Sequence, residues 1–353
     1  MTTHVAVHAL TPERYQSLLD ASPHSLFITR HWVEAMCDNH SMPVYFEILN
    51  TDRRLGLLAG LAISGNRLQG RQLYFYSAPA LMPNTPENLC HCLKALKHFA
   101  KINGYTRINI RPWDQQQMHL VNICGFHSTK THEFPIRFDG YDEKKHISSR
   151  IWRNIKKAQK QNVTIHRCCS VKALDTLLAL LSATQQRRNA RLGNDYSPFY
   201  LYNLNRDSIQ RLLDTQTAVL YCATIEDTVY SVELNVEYNL KAYNVLKASI
   251  DDAYQNGISS LIDYHMIQYY HDEGFAYFNL GGELLKDEGQ GLSLFKEGLG
   301  GQKQVRHGYY TYYLTFPHRL INPLMLAGKM LPDTPAVNWT KKQVSRLLAS
   351  ASK

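Results

Sequence analysis

The chain repeats one pattern at a distance of 170 residues. Gly104-Tyr-Thr-Arg-Ile-Asn-Ile110 and Gly274-Phe-Ala-Tyr-Phe-Asn-Leu280 both read glycine, aromatic, two variable positions, apolar, asparagine, apolar. A helical periodicity precedes each. Leu89, Leu93, Leu96 and Ala100 share one face before the first, and Ile258, Leu261, Ile262, His265 and Tyr269 share one before the second. Further upstream, Val44 to Ile63 reads as strand, turn at Thr51-Asp52-Arg53, strand. Val219 to Tyr238 reads the same way around Glu226-Asp227-Thr228, with Asp52 and Asp227 lying 175 residues apart. In the second hairpin Val232, Leu234, Val236 and Tyr238 alternate with Ser231, Glu233, Asn235 and Glu237, the pattern of a half-buried strand. The shared order and offset predict an α+β protein of two related units. The first spans residues 1–140 and the second 141–317, with the boundary near Asp139-Gly140. A proline-punctuated tail, 318–353, packs back on the body.

A length of 353 residues agrees with two cores rather than one. No basic segment followed by an apolar core opens the chain, and no apolar run approaches the roughly 20 residues that span a bilayer. Seven cysteines in no framework spacing argue against a disulfide scaffold and fit a reducing cytoplasm. Cys90 and Cys92, and the vicinal Cys168 and Cys169, lack a second ligand pair, so no metal site is expected. Leu320 to Leu331 is too short to cross a membrane but is compatible with a peripheral contact at its inner face. No protein partner is signalled.

The net charge of +9 is unevenly placed. From Lys144 to Leu174 the chain carries nine Lys or Arg and no Asp or Glu, a block that suits a polyanionic partner. Ile147 to Gln161 reads as a helix capped by Ser148 or Ser149. At 100° per residue, Arg150, Arg153, Lys156, Lys157 and Lys160 gather on one side, and Ile147, Ile151, Ile155 and Ala158 lie opposite. The apolar side is expected on the second unit's core and the cations outward, as phosphate ligands or as a solvated face. The absence of interspersed acids favours the phosphate reading, because solvated helices usually mix signs for i,i+4 pairing. A further helix, Val171 to Arg188, buries Val171, Leu174, Leu177, Leu178 and Leu181. It leads through Arg187, Arg188 and Arg191 to Tyr196 and Tyr200, a set suited to an anionic or sugar-bearing acceptor or to a tyrosine-rich core edge.

Seven of the 19 glycines fall between Gly281 and Gly301, directly after the second copy of the repeated pattern. Among them sits Phe295-Lys296, flanked by Leu292, Leu294 and Leu299. Dense glycine allows close approach of the backbone to a ligand, and a cation held there can stabilise developing negative charge. A surface loop with an ordinary lysine is the alternative.

Taken together, these residues resemble the FemABX-like family of tandem acetyltransferase-fold (GNAT-like) enzymes, including the BioF2-like acyltransferases. The resemblance runs from about Phe27 to Tyr313. It rests on the early Phe27-Ile-Thr-Arg-His-Trp32, the basic helix from Ser148 to Ile165, the strand Tyr277-Phe-Asn-Leu-Gly-Gly282 and the segment Leu294-Phe-Lys-Glu-Gly-Leu-Gly-Gly301. It implies two tandem GNAT-like domains and amide formation from aminoacyl-tRNA onto an amine, in cell-envelope (peptidoglycan) or natural-product biosynthesis. It places Lys296 at the transferring carbonyl and the tRNA end, with Phe295 beside it. No cofactor is implied, with acyl-CoA an alternative co-substrate. The family's muramyl-nucleotide binders carry a lysine soon after the early tryptophan, whereas Trp32 here precedes Val-Glu-Ala-Met36. Their Thr-x-Arg-x-x-x-Tyr motif is also missing ahead of Tyr200, so a UDP-muramyl-peptide acceptor is not implied. Tyr254-Gln-Asn-Gly-Ile-Ser-Ser260 has too few glycines for a strong pyrophosphate loop. Nine clustered cations exceed what one CoA needs, which favours tRNA. The alternatives are acyl-CoA-dependent acylation of a sugar, lipid or small amine, and a nonenzymatic RNA- or envelope-binding protein.

Overall fold

The structure, a computed structural model, describes residues 5–168, 170–192, 197–283 and 289–331, with 334 and 337. It divides into two compact units. One takes the chain up to Lys130 and again from Arg306, and the other takes Thr131–Val305. Residues 131–140 thus go with the second unit, and 306–317 go with the first rather than the second.

The first unit begins with β1 (Val5–Ala9), α1 (Pro12–Asp20), a 3-10 turn (Leu26–Ile28) and α2 (Arg30–Ala35). The strands β2 (Ser41–Asn50), β3 (Arg53–Ile63) and β4 (Gln72–Phe75) then form a meander, with the short β5 (Ala80–Leu81) beside β3. Helix α3 (Pro86–Ile102) crosses to β6 (Arg107–Ile110), which lies parallel to β4. Strand β7 (His127–Arg137) leads into the second unit.

There α4 (Glu143–His146) and α5 (Ser149–Gln159) precede β8 (Thr164–Cys168), α6 (Val171–Leu192) and α7 (Arg206–Asp214). A second meander follows, β9 (Ala218–Ile225), β10 (Thr228–Tyr238) and β11 (Lys241–Ser249). Helices α8 (Asp251–Gln255) and α9 (Ile258–Asp272) cross to β12 (Tyr277–Gly282), parallel to β11, and α10 (Gly289–Gly298) completes the unit. Strand β13 (Gln304–Tyr310) returns the chain to the first unit, where it pairs with β6 ahead of a 3-10 turn (His318–Ile321) and α11 (Asn322–Met330).

The duplication holds in backbone detail. The helix before each repeated motif ends on a left-handed glycine, Gly104 at φ +72° and Gly274 at φ +73°. The amide of each following aromatic, Tyr105 or Phe275, closes the helix on Ala100 or Tyr270. In the parallel pairs, Tyr74 faces Asn109 and Tyr243 faces Asn279 at the same step. The hairpin turns match as well, with Thr51 and Glu226 both left-handed.

Three expectations change. Glu233, Asn235 and Ser231 do not face solvent. They are wholly buried because α9 covers that face of β10, while Val232, Leu234 and Val236 fill the other. His265 is exposed rather than on the buried face of α9, whose core side runs through Ile258, Ile262, Met266 and Ile267. Val171, at the start of α6, is half exposed, leaving Leu174, Leu177 and Leu181 as that helix's core residues.

Candidate active site

Strands β11 and β12 stay in register only from Lys241 and Tyr277 to Tyr243 and Asn279. Beyond that point β11 continues beside β10 to Ser249, while β12 turns away at Gly281, φ +81°. Glycine is required there twice over. The left-handed backbone disfavours a side chain, and a Cβ would stand 3.0 Å from the Asn244 carbonyl oxygen and 3.5 Å from Lys296 Nζ.

A buried carboxylate anchors the point of divergence. Glu133 of β7 accepts from Tyr243 Oη at 2.9 Å and from Asn279 Nδ2 at 3.3 Å. The Asn279 side-chain oxygen in turn accepts from the Gly281 amide at 3.0 Å. The asparagine of the repeated motif therefore holds both the carboxylate and the turn.

Phe295-Lys296 sits on α10 and not in a loop. Leu292, Phe295 and Leu299 follow helical spacing, and Leu299 is fully buried. Lys296 Nζ donates to the Gly282 carbonyl at 2.8 Å and lies 5.6 Å from the centre of the Phe134 ring. Burial lowers its pKa to about 8, outweighing the pull of the Asp263, Glu133 and Glu283 carboxylates, and the nearby Lys247 ammonium acts in the same direction as burial. One N–H of the ammonium is committed to Gly282, which leaves two for a ligand.

A second charged cluster lies alongside. Lys247 of β11 pairs with Glu233 of β10 at 2.9 Å, with Asp263 of α9, and with the Ser259 carbonyl at 2.6 Å. Burial opposes the Lys247 charge, yet Asp263 and then Glu233 hold its pKa above the ordinary lysine range. Burial pushes the Glu233 carboxyl up to about 8 in spite of that lysine, because Asp263 competes for the same cation. Phe295 covers the cluster, its ring centre 5.8 Å from Lys247 Nζ. The sequence reading missed Glu133, Glu233, Lys247 and Asp263. For Lys247 and Asp263 the signal was a single charge beside apolar residues, as in Val245-Leu-Lys-Ala248 and Leu261-Ile-Asp263.

On the other side of β12, Glu283 accepts from Ser293 at 3.1 Å and pairs with His132 at 2.5 Å and Lys303 at 3.1 Å. Burial works against its charge, and these three partners together keep its pKa below the usual carboxylate range.

The C-terminus of α10 rests on the start of the basic helix, where the Ser148 amide donates to the Gly298 carbonyl at 2.8 Å. Ser148 also caps α5 by accepting from the Ile151 amide. Ile147, Ile151, Ile155 and Ala158 are buried in the core, and Arg150, Arg153, Lys156, Lys157 and Lys160 are exposed. Lys157 reaches the Gln255 carbonyl at 2.8 Å. Among the described residues the other four have no carboxylate partner.

Helix α5 also lies against the loop between α8 and α9. A Cβ on Gly257 would fall 2.2 Å from the Asn154 carbonyl oxygen. That loop follows Asp251 and Asp252 of α8, and Ser259 and Ser260 in the first turn of α9 are buried.

Of the expected acceptor ligands, Arg187 on α6 is drawn to α8 by an ion pair with Asp251. Arg188 is partly buried beside it, and Tyr200 is exposed. Arg191 lies in the last turn of α6 with its side chain outside the described residues, as is Tyr196 entirely. The structure brings Lys296, Phe295 and α5 together and leaves Arg187 with α8. Among the described residues no cluster of three His, Cys, Asp or Glu could hold a metal.

The corresponding place in the first unit, past the ends of β4 and β6, is a concavity lined by His24, Ser25, Asn84, Gln115, Gln116 and Gln117. Its lining residues include amides and a hydroxyl and no lysine.

Residues 145–291 match the acetyltransferase (GNAT) domain family. No curated protein matches the chain in sequence. Among solved structures it is similar to FemX, at 14% identity and a TM-score of 0.67, over 90% of this chain and 98% of that one. It is also similar to the C-terminal domain of a putative lysylphosphatidylglycerol synthetase from Agrobacterium fabrum, with 13% identity, a TM-score of 0.54 and coverage of 85% and 91%. A tandem GNAT protein from the clavulanic acid biosynthesis pathway aligns at 9% identity and a TM-score of 0.51, over 88% of this chain and 99% of its own. Residues 145–291, within the second unit, thus belong to the acetyltransferase (GNAT) domain family, and the chain along its length shares the fold of FemX and of a tandem GNAT protein.

Proposed function

We propose that the chain forms amides, moving an aminoacyl group from aminoacyl-tRNA to an amine acceptor such as a small molecule or an envelope precursor. The observation that carries this reading is the Lys296 ammonium, held where β11 and β12 part, on a helix whose end rests on the start of α5, the helix that carries the unpaired cations on its outer side. The acceptor nitrogen attacks the ester carbonyl, and its electron pair becomes the new C–N bond. The carbonyl oxygen takes up negative charge beside the two free N–H groups of Lys296. Collapse breaks the ester C–O bond, and the proton lost by the amine passes to the departing tRNA hydroxyl. No covalent enzyme intermediate is needed.

Acyl-CoA is the second donor reading, supported by the acetyltransferase family match over residues 145–291. The α8–α9 loop weighs against it, because two carboxylates precede a helix start already packed on α5. In the tRNA reading Arg150, Arg153, Lys156, Lys157 and Lys160 bind donor phosphates. Arg187, Arg188, Arg191, Tyr196 and Tyr200 are the proposed acceptor contacts.

Charged tRNA should bind in a salt-dependent way. Replacing Arg150, Arg153, Lys156 and Lys160 with alanine should reduce the slope of log affinity against log salt by roughly 3. Filter binding over a salt series reads this directly. An unchanged slope, or saturable acyl-CoA binding with none for charged tRNA, overturns the tRNA assignment.

The pH profile has a defined sign. Lys296 stabilises an oxyanion only when protonated, so the transfer rate should fall as pH rises through about 8. An ordinary lysine would hold its rate to about 10.4. Glu233 titrates in the same region, so the profile is measured in parallel on Glu233→Gln. A decline near 8 that survives in this variant assigns it to Lys296, and a rate that rises through pH 8 assigns Lys296 to the opposite role, that of a base.

A further inference from the structure

The segment after β13 turns apolar residues outward as well as inward. On its inner side Ile321 and Met325 are half-buried, and polar contacts hold it too. Asn322 Nδ2 donates to the Tyr313 carbonyl and Asn322 Oδ1 accepts from the Tyr313 amide, both at 2.9 Å. His318 stacks on the Tyr313 ring and meets the Arg67 carbonyl at 3.2 Å. Its outward side is apolar. Leu320, Leu324 and Ala327 follow steps of four and three residues and so form one stripe, and Leu331 follows just past the end of α11. Leu320 is 68%, Leu324 73% and Leu331 50% exposed, and Phe316, just before the turn, is 78% exposed. Isolated exposed leucines need no explanation, but a contiguous stripe marks an interaction surface.

Charge identifies what covers it. From Phe316 to Lys353 the sequence holds six Lys or Arg and a single acid, Asp333. Arg319 is exposed beside Leu320. The chain beyond the described residues adds Trp339, Lys341, Lys342, Arg346, Leu347, Leu348 and Lys353. That stretch has the same sign of charge as the segment bearing the stripe, so folding back over it brings like charges together. An anionic surface attracts charges of that sign. Among the described residues no helix is long and apolar enough to cross a membrane, and an apolar stripe edged by cations suits a helix lying in the plane of the interface.

We propose that α11 and the turn before it dock the protein on an anionic lipid surface, with Phe316, Leu320, Leu324 and Leu331 entering the headgroup boundary and Arg319 contacting the headgroups. This surface stands independently of the catalytic reading.

The test is co-sedimentation of the full chain with phosphatidylcholine vesicles, with and without 30% phosphatidylglycerol (about a third of the lipid, a common anionic content). Affinity should be at least tenfold higher for the anionic vesicles. Leu320→Ser with Leu324→Ser should lower it at least tenfold, and Arg319→Glu should cost more at low salt than at high salt. All three substitutions are at exposed positions, so the melting profile should not change, which separates lost docking from lost folding. Equal affinity for neutral vesicles, or binding indifferent to the leucine substitutions, overturns the proposal. So does a leucine-dependent shift in oligomeric state without vesicle binding, because a second copy of the chain then covers the stripe.

Discussion

Lys296→Ala is expected to slow group transfer by about 10² to 10³, the usual consequence of removing one donor to a developing oxyanion. The folded protein should tolerate the change. Lys296 spends its ammonium on a single carbonyl, that of Gly282, and burial already disfavours its charge. The sign follows from the two states. The folded pKa, about 8, lies below the unfolded value of about 10.4, so carrying the charge costs the fold below pH 8 and that cost is relieved as pH rises between the two. Lys296→Met, which keeps the length and drops the charge, should therefore melt at or above the wild-type temperature at pH 7 while transferring as poorly as the alanine variant. A variant that melts well below wild type would instead make Lys296 a structural residue, and its lost activity would say nothing about the oxyanion.

Lys247→Met should do the reverse. Lys247 is the shared partner of two buried carboxylates, Glu233 and Asp263, and removing one side of a buried ionic cluster typically costs about 3–5 kcal/mol. For a unit of this size, about 2–4 °C per kcal/mol, the melting temperature should fall by on the order of 10 °C. Adding Glu233→Gln should recover part of the loss, since fewer uncompensated carboxylates then remain. Calorimetry of the single and double variants measures both effects. A double variant no better than the single would mean that Lys247 acts through packing under Phe295 rather than through its charge.

The fold was legible because its repeat is written in residues with backbone duties. Gly104 and Gly274 must be left-handed to end their helices, and Asn109 and Asn279 occupy the same step of a parallel pair. Such demands tie residue type to position and survive in the sequence. The amphipathic basic helix was equally readable, because Ile151, Ile155 and Ala158 recur at helical spacing against an unbroken row of cations.

The polar interior of the site was not. Alternation along β10 marks Glu233 and Asn235 as facing away from Val232 and Leu234, but it does not say whether water or α9 lies on that side. Here α9 does, and it brings Asp263 with it. Glycine density likewise announced close packing without its form. Gly281 opens the turn, while Phe295-Lys296 rides on a helix that leucine spacing alone, interrupted by glycines, did not distinguish from a loop. Contacts between residues as distant as Glu133 and Asn279 come from topology, which no local pattern carries.

The reaction proposed for the second unit is transfer of an aminoacyl group to an amine with Lys296 at the carbonyl. The direct measurement supplies radiolabelled aminoacyl-tRNA, and in parallel radiolabelled acetyl-CoA, to the purified full chain with a small-molecule and lipid extract as the pool of acceptors. Label recovered in an amide-linked product is then followed by mass spectrometry. RNase-sensitive product from the tRNA donor is expected, reduced at least about a hundredfold in Lys296→Ala. Equal product from that variant, or product from acetyl-CoA alone, contradicts it.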